Sequence, residues 1–310
     1  MHIIDPNAYP LSADAVYHPE PATLNQALSF EWENLSICNI VIIQPSIYGT
    51  DNSCTLDALR EIRAGESIYK GNGRSLEPRN KRNDARAVVV IEPSTIDADT
   101  LRLWNSLGVR GVRINCVTVG RRMDSKELAA TLRAHARVLC DAGLNDWVVQ
   151  LYIALEDLAG AADVIPALGV RVCLDHFACP RIVEAAGLGS ESGTDTTPKR
   201  PSLVDPASFP GFSALTSLLA TGTTYIKLSA PYRISSDKSL TDVGIFAREL
   251  LRLAPDRLLF GSDWPHVQFN GYDARPFAEA CAQWCEEIGG KELVEKVFRV
   301  NAEGLWGISS

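Results

Sequence analysis

Near its C-terminus the chain contains the sequence Arg257-Leu-Leu-Phe-Gly-Ser-Asp263-Trp-Pro-His266. The apolar run from Leu258 to Phe260 predicts a buried strand, and Pro265 prevents that strand from simply continuing. Asp263 therefore follows the carboxyl end of a strand, which is where catalytic groups lie in parallel α/β proteins. We expect this carboxylate to be a base or a metal ligand. The alternative is an Asp that caps the next turn.

Apolar runs of strand length recur along the 310 residues, with amphipathic helical patterns between them. Eight strands separated by helices predict an α/β fold, a (β/α)8 TIM barrel that forms one domain over residues 1–310. A doubly wound open sheet is the alternative, but it usually has fewer strands and a glycine-rich first turn, which is absent here. The predicted strands are His2–Ile4, Asn39–Gln44, Ala87–Glu92, Gly111–Asn115, Trp147–Ile153, Val170–Asp175, Thr224–Leu228 and Arg257–Phe260, and the predicted helices include Asp57–Ala64, Ser125–Ala142 and Ser239–Ala254.

Two segments interrupt this alternation and predict surface insertions. Lys70–Asp84 is rich in Gly, Asn and Arg, and Gly187–Pro210 is rich in Gly, Ser, Thr and Pro. Long loops without structure of their own are often lids or disordered segments. Because the second insertion comes shortly after His176, it is either a lid over a site or a passive insertion.

Charge and composition restrict the classes of partner. The net charge of −8 argues against nucleic acid as a partner, because binding its phosphates needs a positively charged surface. No apolar run is long enough for a membrane helix. None of the eight cysteines forms a CxxC pair, so we expect free thiols and a cytoplasmic protein. Cys179 is a weaker candidate for a catalytic thiol. A homo-oligomer stays open as a further partner.

Polar residues follow most of the predicted strands. If the barrel is correct, these side chains converge on one mouth. Each residue alone has a plain explanation, since a single Arg is usually solvated and a single His or Tyr is usually a satisfied core residue. Together they are harder to dismiss, because burying ionisable groups at strand ends is costly. They are His2, Gln44, Ser46, Arg113, Asn115, Tyr152, Asp175, His176, Ser229, Arg233 and Asp263, with Arg121 and Arg122 in the loop after the fourth strand.

The types of these residues indicate the chemistry. Asp263 offers a general base, whereas His2 and His176 can donate hydrogen bonds or, when neutral, bind a metal. The four arginines present forked donors that suit carboxylates, so the predicted partner is a small molecule with one or more carboxylates. The chain has no GxSxG nucleophile motif and no phosphate loop, which disfavours acyl transfer through serine and nucleotide chemistry.

Nearly end to end, the chain resembles the amidohydrolase superfamily, in the branch known as amidohydrolase-related family 2. Within that branch the block from Gln44 to Asn52 is more similar to the 2-pyrone-4,6-dicarboxylate lactonases than to the decarboxylases. The resemblance depends on Met1-His-Ile-Ile-Asp-Pro6, Gln44-Pro-Ser46-Ile-Tyr-Gly-Thr-Asp-Asn52, Arg110-Gly-Val-Arg113, Asp175-His176-Phe, Gly261-Ser-Asp263-Trp-Pro-His266 and Asn301-Ala-Glu-Gly-Leu-Trp306.

The resemblance implies a role for each matching residue. Asp263 would activate water, with His2 and His176 beside the scissile carbonyl. The superfamily usually opens its first strand with His-x-His, whereas this chain starts at Met1, one residue before His2. Either the first histidine is absent or the native start lies upstream. Without that histidine a metal would lose a ligand, and catalytic zinc typically needs three protein ligands. The lactonases work without metal, so we expect no metal and no other cofactor. The implied substrate-binding residues are Tyr17, Ser46, Arg113, Tyr152 and Arg233, together with Arg121 or Arg122.

Three hypotheses follow. The first is a metal-independent hydrolase of a carboxylated ring lactone, in which Asp263 activates water. The second is a metal-dependent decarboxylase or hydrolase of the same superfamily, with His176 and Asp263 as ligands. The third is a barrel that binds a carboxylated ligand without turnover.

Overall fold

The computed structural model describes residues 1–37, 39–65, 84–120, 122–182 and 205–308. Residues 70–83 of the first predicted insertion and residues 187–204 of the second lie outside this set. Among the described residues, no helix is both long enough and apolar enough to cross a membrane.

The described part of the chain forms one seven-stranded parallel sheet, in which every strand pairs with its neighbour in sequence. The strands are short, and β1, β2 and β4 are almost entirely buried, as expected for strands that are covered on both faces. They are β1 (Ile40–Ile43), β2 (Ala85–Val89), β3 (Val109–Asn115), β4 (Val148–Tyr152), β5 (Arg171–Leu174), β6 (Thr224–Leu228) and β7 (Leu258–Phe260).

The predicted barrel is confirmed in part. The structure has the α/β class, and its parallel strands curl into a half-barrel, but the predicted strand His2–Ile4 is wrong. In that segment Ile4 makes an isolated antiparallel bridge to Ala22 instead of joining the sheet. The backbone before Ile4 contacts the edge strand β1, where Ile43 N donates to Met1 O, and the segment after β7, where His2 N donates to Trp264 O, each at 2.8 Å. Too few residues reach the edges to extend a ladder.

Helices cover the outer face of the sheet, and local signals set their ends. Thr23 and Gln26 form a capping box at the start of the first helix, and the Asp124 side chain accepts from two backbone N–H groups at the start of the fourth. The helices in the described ranges are α1 (Leu24–Leu35), α2 (Ser53–Ala64), α3 (Ala98–Leu107), α4 (Ser125–Asp141), α5 (Phe212–Ala220), α6 (Thr241–Leu253), α7 (Arg275–Glu295) and α8 (Asn301–Trp306).

Close packing of β3 and β4 depends on Gly111. A Cβ added at Gly111 would come within 2.5 Å of Val148 O, which is backbone and cannot move aside. Because the two strands pair from Gly111 to Asn115, this approach sets the position of Arg113, which lies in the middle of the pairing. The sheet therefore holds Arg113 at a defined depth.

Candidate active site

Eight of the ten predicted site residues line one small cavity at the carboxyl end of the sheet, with a volume of about 20 Å³. A larger cavity of about 140 Å³ shares four of them. The eight are His2, Tyr17, Ser46, Arg113, Tyr152, His176, Arg233 and Asp263, and the shared four are His2, Arg113, His176 and Asp263.

Successive strands deliver these residues to the cavity. Arg113 lies within β3 and Tyr152 is the last residue of β4. His176 begins a short turn after β5, Arg233 ends a turn after β6, and Asp263 follows β7 by three residues. The structure therefore brings together residues that are far apart in sequence, as expected at the strand ends of an α/β fold.

Asp263 is buried and its two carboxylate oxygens have different surroundings. Oδ2 accepts hydrogen bonds from the Tyr232 hydroxyl at 2.6 Å and from Arg233 Nε at 3.0 Å. Oδ1 lies 3.9 Å from His176 Nε2, at the cavity that both residues line. The backbone of Asp263 has a φ of 58°, a conformation that non-glycine residues rarely adopt. One oxygen is therefore anchored and the other is open to the cavity.

The charge state of Asp263 follows from these neighbours. Burial alone would raise the pKa of the carboxyl, but the charge of Arg233 and the Tyr232 hydrogen bond hold that pKa well below its usual range. Arg233 is a permanent charge at neutral pH, so we assign the ionised state to Asp263. An ionised carboxylate with a free oxygen can accept a proton.

Two residues, Ser229 and Tyr152, hold the side chain of His176. Its Nδ1 lies 2.9 Å from Ser229 Oγ, and its ring packs edge-on against Tyr152 with 4.7 Å between ring centroids. The backbone from His176 to Cys179 has positive φ at four successive non-glycine residues, which costs energy and is typical of functional turns. Burial lowers the pKa of His176, despite the opposing charges of Asp263 and Asp175. The imidazole is therefore neutral.

The tautomer of His2 follows from its hydrogen bond. Its Nδ1 lies 2.7 Å from Ile43 O, and a carbonyl can only accept, so Nδ1 carries the proton. Burial, with the charges of Arg113 and the N-terminal amino group, lowers the pKa of His2 to about 3. A neutral His2 with Nδ1 protonated presents Nε2 as an acceptor. It can orient a water molecule, but it cannot donate to an oxyanion from Nε2.

A second buried carboxylate, Asp175, lies beside the cavity with both oxygens in use. Oδ1 forms an ion pair with Lys227 Nζ at 3.0 Å, while Oδ2 accepts from Gln150 Nε2 at 2.8 Å and lies 3.7 Å from Arg113 Nη2. Burial would raise the pKa of Asp175, but the charges of Lys227 and Arg113 lower it to about 2. Asp175 therefore holds Lys227, Gln150 and Arg113 in position.

Two buried polar atoms in the pocket residues have no hydrogen-bond partner among the described residues. They are Ser46 Oγ and Arg113 Nε. Arg113 also donates from Nη1 to Gln44 O at 3.1 Å, which fixes its guanidinium. Unpartnered polar groups in a cavity are costly unless water or a ligand satisfies them. Both atoms are buried donors whose hydrogen bonds are not made within the described part of the protein.

Not every predicted residue joins the pocket. Arg122 does not line it: the side chain is 74 % exposed and contacts Glu156 Oε1 at 3.8 Å, so solvent and a surface carboxylate satisfy it. Arg121 lies outside the described residues. Gln44, in contrast, ties a loop together, since its Nε2 donates to Asp51 O at 2.6 Å.

The sequence predicts free thiols. Seven of the eight cysteines lie among the described residues, and all seven are free. Burial raises the pKa of Cys179 to about 11, despite a hydrogen bond with Tyr152 and the nearby charge of Arg181. A thiol with that pKa is almost entirely protonated at neutral pH and is a poor nucleophile. The hydrogen bond with Tyr152 and the charge of Arg181 therefore do not bring the pKa of this thiol near neutral.

The polar residues that sequence reasoning missed include Thr118 and Gln268, which line the small cavity. They also include Tyr232 and Lys227, which contact Asp263 and Asp175. Each of these last two had a weak signal. Lys227 lies between Ile226 and Leu228 in a predicted strand, where a charged residue needs a buried partner. Tyr232 directly precedes Arg233, which was a predicted site residue.

The described residues do not supply a metal-binding set of donors. Within the ranges that the structure covers, no group of three or more His, Cys, Asp or Glu side chains could hold a metal ion. Oδ2 of Asp263 is already paired with the cation of Arg233, and Nδ1 of His176 lies against Ser229. A bound cation at Asp263 would face the guanidinium directly. We therefore derive no step through a metal.

The fold and the site define a class of α/β protein with a carboxylate at the mouth of a curled parallel sheet. The amidohydrolase family model Amidohydro_2 matches residues 76–308, about three quarters of the chain. This protein therefore belongs to the amidohydrolase family.

Three similar proteins give context. A 4-sulfomuconolactone hydrolase of Rhizobium radiobacter is 30 % identical over 277 residues, which are 88 % of this chain and 75 % of the relative. A 2-pyrone-4,6-dicarboxylate hydrolase of Comamonas testosteroni is 27 % identical over 281 residues, 87 % of this chain and 77 % of the relative. The solved structure of a Burkholderia multivorans amidohydrolase with bound zinc has a TM-score of 0.67 and 16 % identity, and the alignment covers 91 % of this chain and 88 % of that one. At that identity the likeness shows the fold alone.

Proposed function

We propose that this protein hydrolyses a carboxylated ring lactone, with Asp263 as the base and without a metal ion. The observation that carries the proposal is the asymmetry of Asp263, which is buried and ionised, with Oδ2 anchored and Oδ1 at the cavity. The names of both relatives, each a hydrolase of a lactone, support a hydrolase activity.

The chemistry of the cavity lining, rather than its volume of about 20 Å³, supports an acidic substrate, because two guanidinium groups border the cavity. Arg113 and Arg233 both line the pocket, and Arg113 Nε has no partner among the described residues. Guanidinium groups bind carboxylates through two parallel hydrogen bonds. Ser46 Oγ, which is also unpartnered, offers a further contact. These donors would hold the acidic groups of the substrate, with the Tyr152 ring beside them.

The hydrolytic water has two acceptors available. Oδ1 of Asp263 and Nε2 of His2 belong to residues that line the same cavity, and a water molecule can donate one hydrogen to each. As the water oxygen bonds to the lactone carbonyl carbon, its proton passes to Oδ1 and the carbonyl electron pair moves to oxygen. His176 Nε2 and a guanidinium would stabilise that oxyanion.

The second half of the reaction restores the base. When the carbonyl re-forms, the ring C–O bond breaks and its electron pair leaves with the ring oxygen. That oxygen takes the proton from Asp263, so the products are an open-chain hydroxy or enol acid and the original carboxylate. The new carboxylic acid then loses its proton to solvent. General-base assistance of this type contributes about 10²–10⁴ in rate.

The test uses the purified chain with 2-pyrone-4,6-dicarboxylate and with 4-sulfomuconolactone, followed by ultraviolet absorbance and product analysis. Elemental analysis and a chelator arm measure dependence on metal. We expect ring opening that the chelator does not change, that Asp263→Asn abolishes and that Asp141→Asn leaves intact. Asp141 is an exposed carboxylate on α4, and its Oδ2 lies 3.6 Å from Arg137 Nε. It is therefore a matched control.

The other outcomes separate the alternatives. Activity that is lost to the chelator and restored by zinc would refute the metal-independent step and favour a metal-dependent hydrolase. Binding of both lactones without turnover would refute the hydrolase and leave a ligand-binding barrel. Release of carbon dioxide, in place of an opened ring, would indicate a decarboxylase.

A further inference from the structure

The hydrogen bond between Tyr232 and Asp263 takes no part in the proposed proton transfer, which involves the other carboxylate oxygen. The hydroxyl of Tyr232 donates to Asp263 Oδ2 at 2.6 Å, and Arg233 Nε donates to the same oxygen at 3.0 Å. A carboxylate oxygen has two lone pairs, so both donors can bind Oδ2 at the same time.

The two donors differ in what a substrate would do to them. Arg233 carries a charge and lines the pocket, so an acidic substrate would compete with Asp263 for its guanidinium. Tyr232 is neutral, and burial together with the charge of Asp263 raises the pKa of its hydroxyl far above the ordinary value. Tyr232 therefore keeps its proton and attracts a substrate carboxylate much less.

Packing holds the Tyr232 ring in place. Its centroid lies 4.3 Å from that of Tyr272, 4.5 Å from that of Phe269 and 6.1 Å from that of His266. These three residues belong to the segment that follows Asp263, so the ring and the carboxylate are anchored to the same piece of chain. A rigid donor keeps its direction when the neighbouring guanidinium moves.

We propose that Tyr232 is a positioning residue, which keeps Oδ2 of Asp263 anchored while the substrate draws Arg233 away, so that Oδ1 receives the proton. The inference rests on the proposed function for its catalytic consequence. The anchoring itself is a property of the protein without substrate and can be tested separately.

The kinetic test compares Tyr232→Phe with Tyr9→Phe. Tyr9 provides a matched control, because its hydroxyl donates to the Asp57 carboxylate at 2.9 Å and it does not line the pocket. We expect Tyr232→Phe to lower kcat about tenfold while KM stays within about twofold, since the anchor acts after the substrate binds. Tyr9→Phe should change neither constant.

The dependence of kcat on pH adds a readout that a purely structural role would not move. Loss of the hydrogen bond removes stabilisation of the ionised form, so the acidic limb should move to higher pH in Tyr232→Phe alone. The titratable and charged groups that face Asp263 are the Met1 amino group, His2, Tyr152, His176, Tyr232, Arg233, His266 and Tyr272, and the variant changes only one of them. An unchanged limb with unchanged kcat would overturn the proposal.

A structural arm separates failure of this inference from failure of the proposed function. Crystal structures of Arg233→Met and of the double variant Arg233→Met/Tyr232→Phe mimic the departure of the guanidinium. We expect Oδ2 to stay on the Tyr232 hydroxyl in the single variant and the carboxylate to rotate in the double variant. If the single variant already loses the Tyr232 contact, the anchor is refuted. If the anchor holds but the wild type opens no lactone, only the proposed function fails.

Discussion

Asp175 and Asp263 are both buried carboxylates at strand ends, but they are bound in different ways. Both oxygens of Asp175 have partners, Lys227 on one and Gln150 with Arg113 on the other. Within the described residues, both hydrogen-bond donors of Asp263 bind Oδ2, and Oδ1 lies 3.9 Å from His176 Nε2. A carboxylate with both oxygens occupied supports structure, whereas one with an open oxygen can accept a proton.

The largest difference should come from removing the charge of each carboxylate in turn. We expect Asp263→Asn to lower kcat by about 10²–10⁴, the usual contribution of a general base, and to lower the free energy of unfolding as well, because Arg233 loses its ion pair with Oδ2. Steady-state kinetics and urea unfolding measure both quantities. If Asp175→Asn gives the same loss of kcat in fully folded protein, the assignment of roles is wrong.

The second largest effect should be on the free energy of unfolding, when Asp175 loses its ion-pair partner. Lys227→Met leaves Asp175 without its nearest cation, and breaking a buried ion pair costs about 3 kcal/mol or more of the free energy of unfolding. The matched control is Lys296→Met, which removes an exposed pair with Asp256 at 2.7 Å and should have no measurable effect. Equal urea midpoints for the two variants would show that the Asp175 cluster is not structural.

The acid dependence of stability provides a smaller and independent test of the same cluster. The folded-state pKa of Asp175, about 2, lies below the ordinary 3.8, so its contribution is complete above pH 4 and is lost as the pH falls from about 4 to 2. That difference corresponds to about 2 kcal/mol. Urea unfolding of the wild type between pH 4 and 2 should show a steeper loss than Asp175→Asn. Parallel curves would contradict the low pKa.

The smallest effect concerns the histidine next to the open oxygen. Ser229→Ala removes the 2.9 Å contact with His176 Nδ1 and should lower the free energy of unfolding by about 1 kcal/mol. The activity should fall with it, because the ring loses one of its restraints. Ser217→Ala, which removes a hydroxyl bonded to Ser213 O on the surface of α5, serves as the control. Equal activities in the two variants would argue against a role for Ser229.

Much of this arrangement could be predicted from the sequence because its signals are local. An apolar run that ends in Gly-Ser-Asp-Trp-Pro places Asp263 after a strand without any knowledge of the rest of the fold. The family resemblance then supplied Tyr17, which no local pattern indicates. Eight of the predicted residues share a cavity as a result.

The remaining features depend on contacts that a sequence does not display. His2–Ile4 has the composition of a strand, but whether it extends a ladder depends on how far it reaches both sheet edges. Arg113 lies within β3 and Arg122 lies in the loop after it. The sequence does not show that Arg122 is exposed to solvent beside Glu156 instead of lining the cavity. Lys227 and Tyr232 were missed because their significance comes from partners elsewhere in the chain, Asp175 and Asp263.

The neighbour of Asp263 in sequence has a practical use. Trp264 is buried, its carbonyl accepts from His2 N at 2.8 Å, and its ring lies 6.3 Å from that of Phe30. Indole emission responds to small changes in polarity, so a ligand that moves Asp263 or His2 should alter the intrinsic fluorescence of Trp264. The chain thus contains its own optical reporter, with which candidate ligands can be screened before any substrate is known.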